Sequence, residues 1–399
     1  MPESGVILSL FIAFAAAKIS GEIMARLKQP AVLGELLAGI IIGPYALRLI
    51  QPSSALSVVA QLGVIVLLFL VGLETRVSDL KKVGGTALLV AAMGVLFPFV
   101  LGFLAFLYLR YTYPEALFVG TALVATSVGI TARVLSDLGL LDKIASRIVL
   151  AAAVIDDVIG LMILTVVKGL TNGGISLINL GLLMSGMTLF LILFLALGGY
   201  FAKKHSQFMK MLHIREAAFV FPVILTLGLA ALAEKIGLAA IIGAFLAGVL
   251  LAESEHSQRL VTKTKPISHL LTPFFFVLMG TYVNVKVFLN PKALAIISLL
   301  FFLAVIGKVA GGAIGSIKQG RKVMLQTGVG MIPRGEVGLI VGIIGLTMHI
   351  ISPSVYTMVV SVSLLTTLVT PPLIRWAFKS EMNTPIVSPA AQKAHRLQA

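Results

Sequence analysis

Two adjacent aspartates, Asp156 and Asp157, stand in the otherwise apolar segment Ala151–Gly160, about twelve residues from either end of the hydrophobic run that holds them. Lys308 sits in a second such run, between Val305 and Gly312. A third reads Met331-Ile332-Pro333-Arg334-Gly335-Glu336-Val337-Gly338. A charge at the centre of a bilayer costs about 3 kcal/mol on insertion scales, so charges that no loop can claim are functional candidates. Asp156, Asp157 and Glu336 carry three negative charges against the two positive ones of Lys308 and Arg334. With all ionised, the interior is one charge short of neutral. A buried carboxylate in that position either takes a proton or recruits a cation. Those are the two competing ligands of a cation/proton exchange site.

Neighbouring residues on a helix point about 100° apart, so one aspartate can face a protein partner while the other faces a water-filled cavity. Asp156 with Lys308 suits the first role, Asp157 the second. The competing reading of the Asp156–Lys308 pair is a packing device with no part in exchange. Two adjacent carboxylates also titrate as a coupled pair. Only oxygen ligands are on offer, which favours a small, hard cation. Thr126 and Ser127, in Val124-Ala125-Thr126-Ser127-Val128-Gly129-Ile130-Thr131, are candidates to add oxygens to the Asp156/Asp157 site. Back-bonding of both hydroxyls to their own helix is an equally open reading. Pro333 and Gly335 predict unwound backbone in the middle of their span, which lipid tolerates only where the backbone lines a cavity.

The elements that must position these groups follow from hydropathy. About 20 apolar residues cross a hydrocarbon core. Cutting at polar clusters predicts thirteen spans: 5–25, 31–50, 57–75, 85–110, 114–135, 145–169, 175–201, 216–234, 237–253, 267–284, 291–314, 321–348 and 354–378. Odd-numbered loops and the tail collect 22 Lys and Arg, even-numbered loops six. Basic loops stay cytoplasmic, which predicts an outside N-terminus and a cytoplasmic C-terminus. The first run lacks a basic start and a cleavage site, and reads as a retained helix. Glu22 and Lys18 are expected to pair on it, and Glu35 to suit the start of the second helix.

Val32-Leu33-Gly34-Glu35-Leu36-Leu37-Ala38-Gly39 matches Ile241-Ile242-Gly243-Ala244-Phe245-Leu246-Ala247-Gly248, and Phe69-Leu70-Val71-Gly72 matches Val277-Leu278-Met279-Gly280 at nearly the same shift. A displacement of seven helices reverses orientation in the membrane. Helices 1–6 and 8–13 are thus expected to be two inverted six-helix repeats joined by linker helix 7, the architecture of secondary transporters.

Composition excludes other classes. At 58% hydrophobic and 12% charged residues, with a mean hydropathy of +1.06, a chain of this length cannot bury its apolar surface in water. Zero cysteines rule out disulfides and thiolate metal sites. The net charge of +15 is spread over loops rather than gathered in one patch, which argues against nucleic acid as a partner.

Thr121-Ala122-Leu123-Val124-Ala125-Thr126-Ser127-Val128-Gly129-Ile130-Thr131-Ala132-Arg133, Val154-Ile155-Asp156-Asp157, Gly307-Lys308 and Pro333-Arg334-Gly335-Glu336-Val337-Gly338, in this order, resemble the second branch of the monovalent cation/proton antiporters, in particular the NapA-type bacterial sodium/proton antiporters. The resemblance spans helices 1 to 13 and leaves out only the tail after about Lys379. It implies an all-α integral membrane protein of 13 transmembrane helices, with crossed broken helices 5 and 12, in the bacterial inner membrane. It also implies a homodimer and an elevator-like displacement of a mobile core. The dimerisation domain would be 1–84 and 216–290, and the core 85–170 and 291–378. The linker would be 171–215 and the cytoplasmic tail 379–399. The resemblance assigns the shared cation and proton carrier to Asp157. It pairs Asp156 with Lys308 and links that pair to electrogenic exchange of two protons per sodium. Arg334 and Glu336 support the site. No cofactor is implied beyond transported Na+ (or Li+ or K+) and H+.

A potassium/proton antiporter of the same fold is the nearest alternative, since a carboxylate pair does not by itself fix ion size. A channel or ligand-gated efflux system would bring a nucleotide-binding domain, and no Gly-rich phosphate loop follows helix 13. An intramembrane aspartic protease would draw its two carboxylates from separate segments, whereas Asp156 and Asp157 diverge on one helix.

Overall fold

Inside lipid every backbone N–H and C=O must find a partner within the chain, so apolar runs fold as helices. The computed structural model describes residues 5–75, 77–171, 181, 185, 217–236, 238–252, 254 and 257–382, and the regular structure among them is helical. The first group is α1 (Val6–Arg26), α2 (Ala31–Ile42), α3 (Ser54–Leu73), α4 (Val77–Tyr108), α5 (Tyr113–Ala122), α6 (Val128–Asp137) and α7 (Ile144–Thr171). The second is α8 (Ala217–Lys235), α9 (Ala240–Ala252), α10 (Ser257–Thr281), α11 (Pro291–Gly315), α12 (Arg321–Gly330), α13 (Glu336–Thr347), α14 (Pro353–Ala377) and α15 (Lys379–Met382). The expected linker helix 7, with Gly198-Gly199, and the tail beyond Met382 lie outside the described residues. Six helices among the described residues are long and apolar enough to cross a membrane: α1, α3, α4, α7, α11 and α14.

Three expectations need correcting. The second span is expected to reach residue 50, but α2 stops at Ile42, because Gly43, restricted by the following Pro44, is extended. The tenth span is expected to begin at residue 267, yet α10 starts at Ser257 and runs 25 residues through both Pro266 and Pro273, taking in polar sequence. Lys18 and Glu22 do not pair. Glu22 is held by Arg26 one turn on at 2.8 Å, and Lys18 donates to the backbone carbonyl of His269 at 2.7 Å.

Small residues set the helix spacing. A Cβ on Gly39 of α2 would run into the backbone of Val277 and Gly280 on α10, and one on Gly280 into Leu36 and Gly39. Gly72 of α3 stands in the same relation to Phe245 and Gly248 of α9. These crossings knit α2, α3, α9 and α10 into one scaffold with a shared apolar cluster, which extends to α1, α8 and α6. A second cluster packs α4, α5, α7, α11, α13 and α14 through Phe106, Phe118, Leu164, Ile297, Val341 and Val359. Within it α11 lies tightly along α4: a Cβ on Gly311 would come 2.5 Å from the Met93 carbonyl oxygen. That close approach, together with α7, carries Lys308 to the aspartates.

Candidate ion-binding site

Two helical stretches are each interrupted part-way along, and the interruptions meet beside the candidate site. α5 starts with a capping box, Thr112 and Glu115 exchanging side-chain and backbone hydrogen bonds. It ends at Ala122, the chain unwinds over 123–127, and α6 begins at Val128 with Ser127 as its N-cap. The partner break runs from Met331 to Gly335, between α12 and α13. Helix 5 of the sequence analysis is thus the pair α5 and α6, and helix 12 is α12 and α13.

The breaks leave backbone groups that need partners. Ser127 N donates to the Pro333 carbonyl at 2.7 Å, joining one unwound stretch to the other. The Thr131 hydroxyl donates to the Gly330 carbonyl at 2.7 Å, and that of Thr367 on α14 to the Arg334 carbonyl at 2.6 Å. Arg334 is fully buried and does the most. Its Nε and Nη2 donate to the Leu123 carbonyl at 3.0 and 2.7 Å, Nη1 to Ile332 at 3.1 Å, and Nη2 again to Ala304 at 3.1 Å. A guanidinium at the carbonyl end of α5 satisfies its last acceptors and opposes the negative end of its dipole. The hydrogen bonds of Arg334 go to carbonyls; counting it simply as a counter-charge for an acid missed this role. Glu336 opens α13, and its side chain lies outside the described residues.

Lys308 and Asp156 face each other with neither exposed, Nζ lying 3.2 Å from Oδ1 and 3.1 Å from Oδ2. Asp157, one residue on, turns instead to a small cavity between the first break and the scaffold. Its walls are Thr126, Ser127, Val128 and Gly129 from the break, with Val64, Ile241 and Phe275 from the scaffold. The cavity measures about 10 Å³, room for one water-sized guest. Asp157 is 2% exposed and Thr126 3%. The Thr126 hydroxyl is buried and makes no hydrogen bond, so it is not back-bonded to a helix. The structure thus brings Asp157, Thr126 and Ser127 to one cavity and Asp156 and Lys308 to one buried pair beside it.

One cluster was missed. Arg133 was counted among the loop charges, but it lies inside α6 and is 5% exposed. It binds Asp137 at 2.9 Å and approaches Glu35 of α2 at 3.8 Å. The signal for the first contact was present, since Arg133 and Asp137 are spaced i,i+4 on one helix. The second joins distant segments and had none.

Helical throughout the described residues, with two interrupted helices joined at their breaks and a carboxylate-lined cavity beside the first of them, the protein has the build of a secondary transporter. The family model described as "Sodium/hydrogen exchanger, transmembrane" matches residues 8–380, and the chain belongs to that family as a multi-pass membrane protein. It is similar to the high-affinity Na(+)/H(+) antiporter NhaS3 of Synechocystis, 33% identical over 94% of this chain and 90% of that one. It is 32% identical to the Na(+)/H(+)-K(+) antiporter GerN of Bacillus cereus, over 91% of this chain and 94% of that one. Among solved structures, the sodium proton antiporter MjNhaP1 of Methanocaldococcus jannaschii superposes with a TM-score of 0.68 at 22% identity, covering 97% of this chain and 100% of that one, a likeness of fold.

Proposed function

We propose that the chain exchanges Na+ (or Li+) for protons across the bacterial inner membrane, with Asp157 as the shared carrier. The observation that carries this reading is the water-sized cavity holding Asp157 with the Thr126 hydroxyl, a buried oxygen that makes no hydrogen bond. A dehydrated cation needs oxygens in place of its water shell. Asp157, Thr126 and Ser127 offer them, and a proton on Asp157 removes the negative charge that holds the cation. Asp156 and Lys308 form the neighbouring ion pair; a second proton carried there makes each exchange move one net charge. Arg334 and Glu336 support the site through the second break.

In this reading α4–α7 and α11–α14 form the mobile core and α1–α3 and α8–α10 the scaffold through which the protein dimerises. The close approaches support an inverted repeat of two six-helix units within a thirteen-helix chain: Gly39 on Gly280 and Gly248 on Gly72 are one contact made twice. The core moves against the scaffold, exposing the cavity to each side in turn. The loop charges favour a cytoplasmic C-terminus.

Proton flux in proteoliposomes, driven by added sodium, tests this. The wild type is expected to respond to Na+ and Li+, and Asp157→Asn to give none of the response. Unchanged flux in Asp157→Asn contradicts the assignment. A potassium/proton antiporter is the second reading, favoured by the K(+) in the name of GerN; a flux that follows K+ rather than Na+ would select it.

A further inference from the structure

A cavity of about 470 Å³ lies at the end of α6 remote from the ion site, among α1, α2, α6, α10 and α14. Glu35 of α2 reaches its wall with 2% exposed, and its Oε2 makes no hydrogen bond. Its Oε1 stands 3.8 Å from Nη2 of Arg133 on α6, whose Nε donates to Asp137 at 2.9 Å. The other charged or titratable groups around the cavity are Lys18 and Glu22 on α1, His269 on α10 and Arg375 on α14. Lys18 is engaged by the His269 carbonyl and Glu22 by Arg26. Gln29 Oε1, in the same wall, is a second buried acceptor that makes no hydrogen bond.

Glu35 is thus a buried carboxylate with one oxygen unused, beside a space that admits water. A proton arriving through that space can bind the unused oxygen and cancel the charge. Ionised, it shares Arg133 with Asp137; protonated, it leaves Arg133 to Asp137 on the same helix. The tie between α6 and α2 is then lost. α6 is also the half-helix that begins at the ion cavity, Val128 and Gly129 forming part of that wall. One short element carries both the ion site and the tie.

We propose that Glu35 is a second protonation site, separate from the Asp156–Asp157 pair, whose charge latches α6 to α2 through Arg133 and so sets how fast the ion site moves. The proposal rests on the antiport reading above, and Glu35 and Arg133 are positioning residues in it. They touch neither ion.

Sodium uptake into proteoliposomes, measured over a pH series with equal pH on both sides, separates the two protonations. Competition at Asp157 moves the apparent KM; the latch moves the maximal rate. From the acid to the alkaline end the wild-type maximal rate is expected to fall by at least about fivefold, the low end of ordinary coupling between sites. Glu35→Gln is expected to hold the acid-end rate throughout while its KM keeps the wild-type pH dependence. His269→Gln is expected to keep the wild-type profile. A flat wild-type rate, a Glu35→Gln profile that superimposes on wild type, or a shift that follows His269 overturns the latch. Asp157→Asn runs alongside: wild-type transport there sinks the antiport reading itself, whereas a silent Asp157→Asn with an unaltered Glu35→Gln sinks only the latch. If Glu35→Gln does not fold, the natural glutamate still serves. The chain has no cysteine, so spin labels at Ala25→Cys and Leu138→Cys report on this cavity alone. Their separation is expected to lengthen on acidification, and an unchanged distance overturns the latch.

Discussion

Lys308 and Asp156 are each fully buried, and the ammonium sits about equally far from both carboxylate oxygens. Removing one member of such a pair strands the other charge in a medium that cannot solvate it. Lys308→Ala is expected to lower stability by about 3–5 kcal/mol, the cost typical of breaking a buried pair. The double variant Asp156→Asn with Lys308→Gln removes both charges and is expected to regain most of that loss in a thermal melt. If this pair carries the second proton, sodium uptake by the double variant no longer responds to an imposed membrane potential; an undiminished response contradicts the role given to it. Asp157 leads to a different expectation. If proton and cation compete for this carboxylate, as proposed, the apparent KM for sodium rises as pH falls, and a KM constant across pH would deny the competition.

Arg334 acts at the level of the helix. It binds carbonyls at the end of α5, within its own break and on α11, and so joins three elements at their crossing. Arg334→Lys keeps the charge but loses the planar fork that reaches several acceptors at once. It is expected to melt earlier and transport poorly, with Arg334→Gln worse; wild-type behaviour in Arg334→Lys would show that charge alone suffices. Gly311→Val tests the packing that delivers Lys308: its Cβ would meet the backbone of α4, a clash costing roughly 1–3 kcal/mol. The second break was legible in sequence, because Pro333 and Gly335 interrupt a helix by known means. The first has no proline, and only the family resemblance implied it. Span limits were legible where a long apolar run ends in charges, as at α11, and not at α10, where the helix continues into polar sequence. Side-chain partners between distant segments, such as Glu35 with Arg133, depend on how helices stack and leave no periodic trace.

For the whole molecule, the loop charges predict an orientation that can be tested directly. In the proposed orientation Leu289, 82% exposed between α10 and α11, lies on the outer face and Ile317, 61% exposed after α11, on the cytoplasmic one. An impermeant thiol reagent applied to intact cells is expected to label Leu289→Cys and spare Ile317→Cys; the reverse pattern inverts the topology. In the proposed division, scaffold and core meet at the candidate ion cavity, where Val64, Ile241 and Phe275 line the wall across from Asp157. Movement of one against the other is what would turn a binding site into a transport pathway, and it requires that the site hold either ligand in turn. Proton release on sodium addition, followed with an indicator dye in weakly buffered detergent solution, tests that most directly. The wild-type protein is expected to release protons in proportion to sodium bound, and Asp157→Asn to release none. Equal release from Asp157→Asn would mean that the cation and the proton do not meet at this carboxylate.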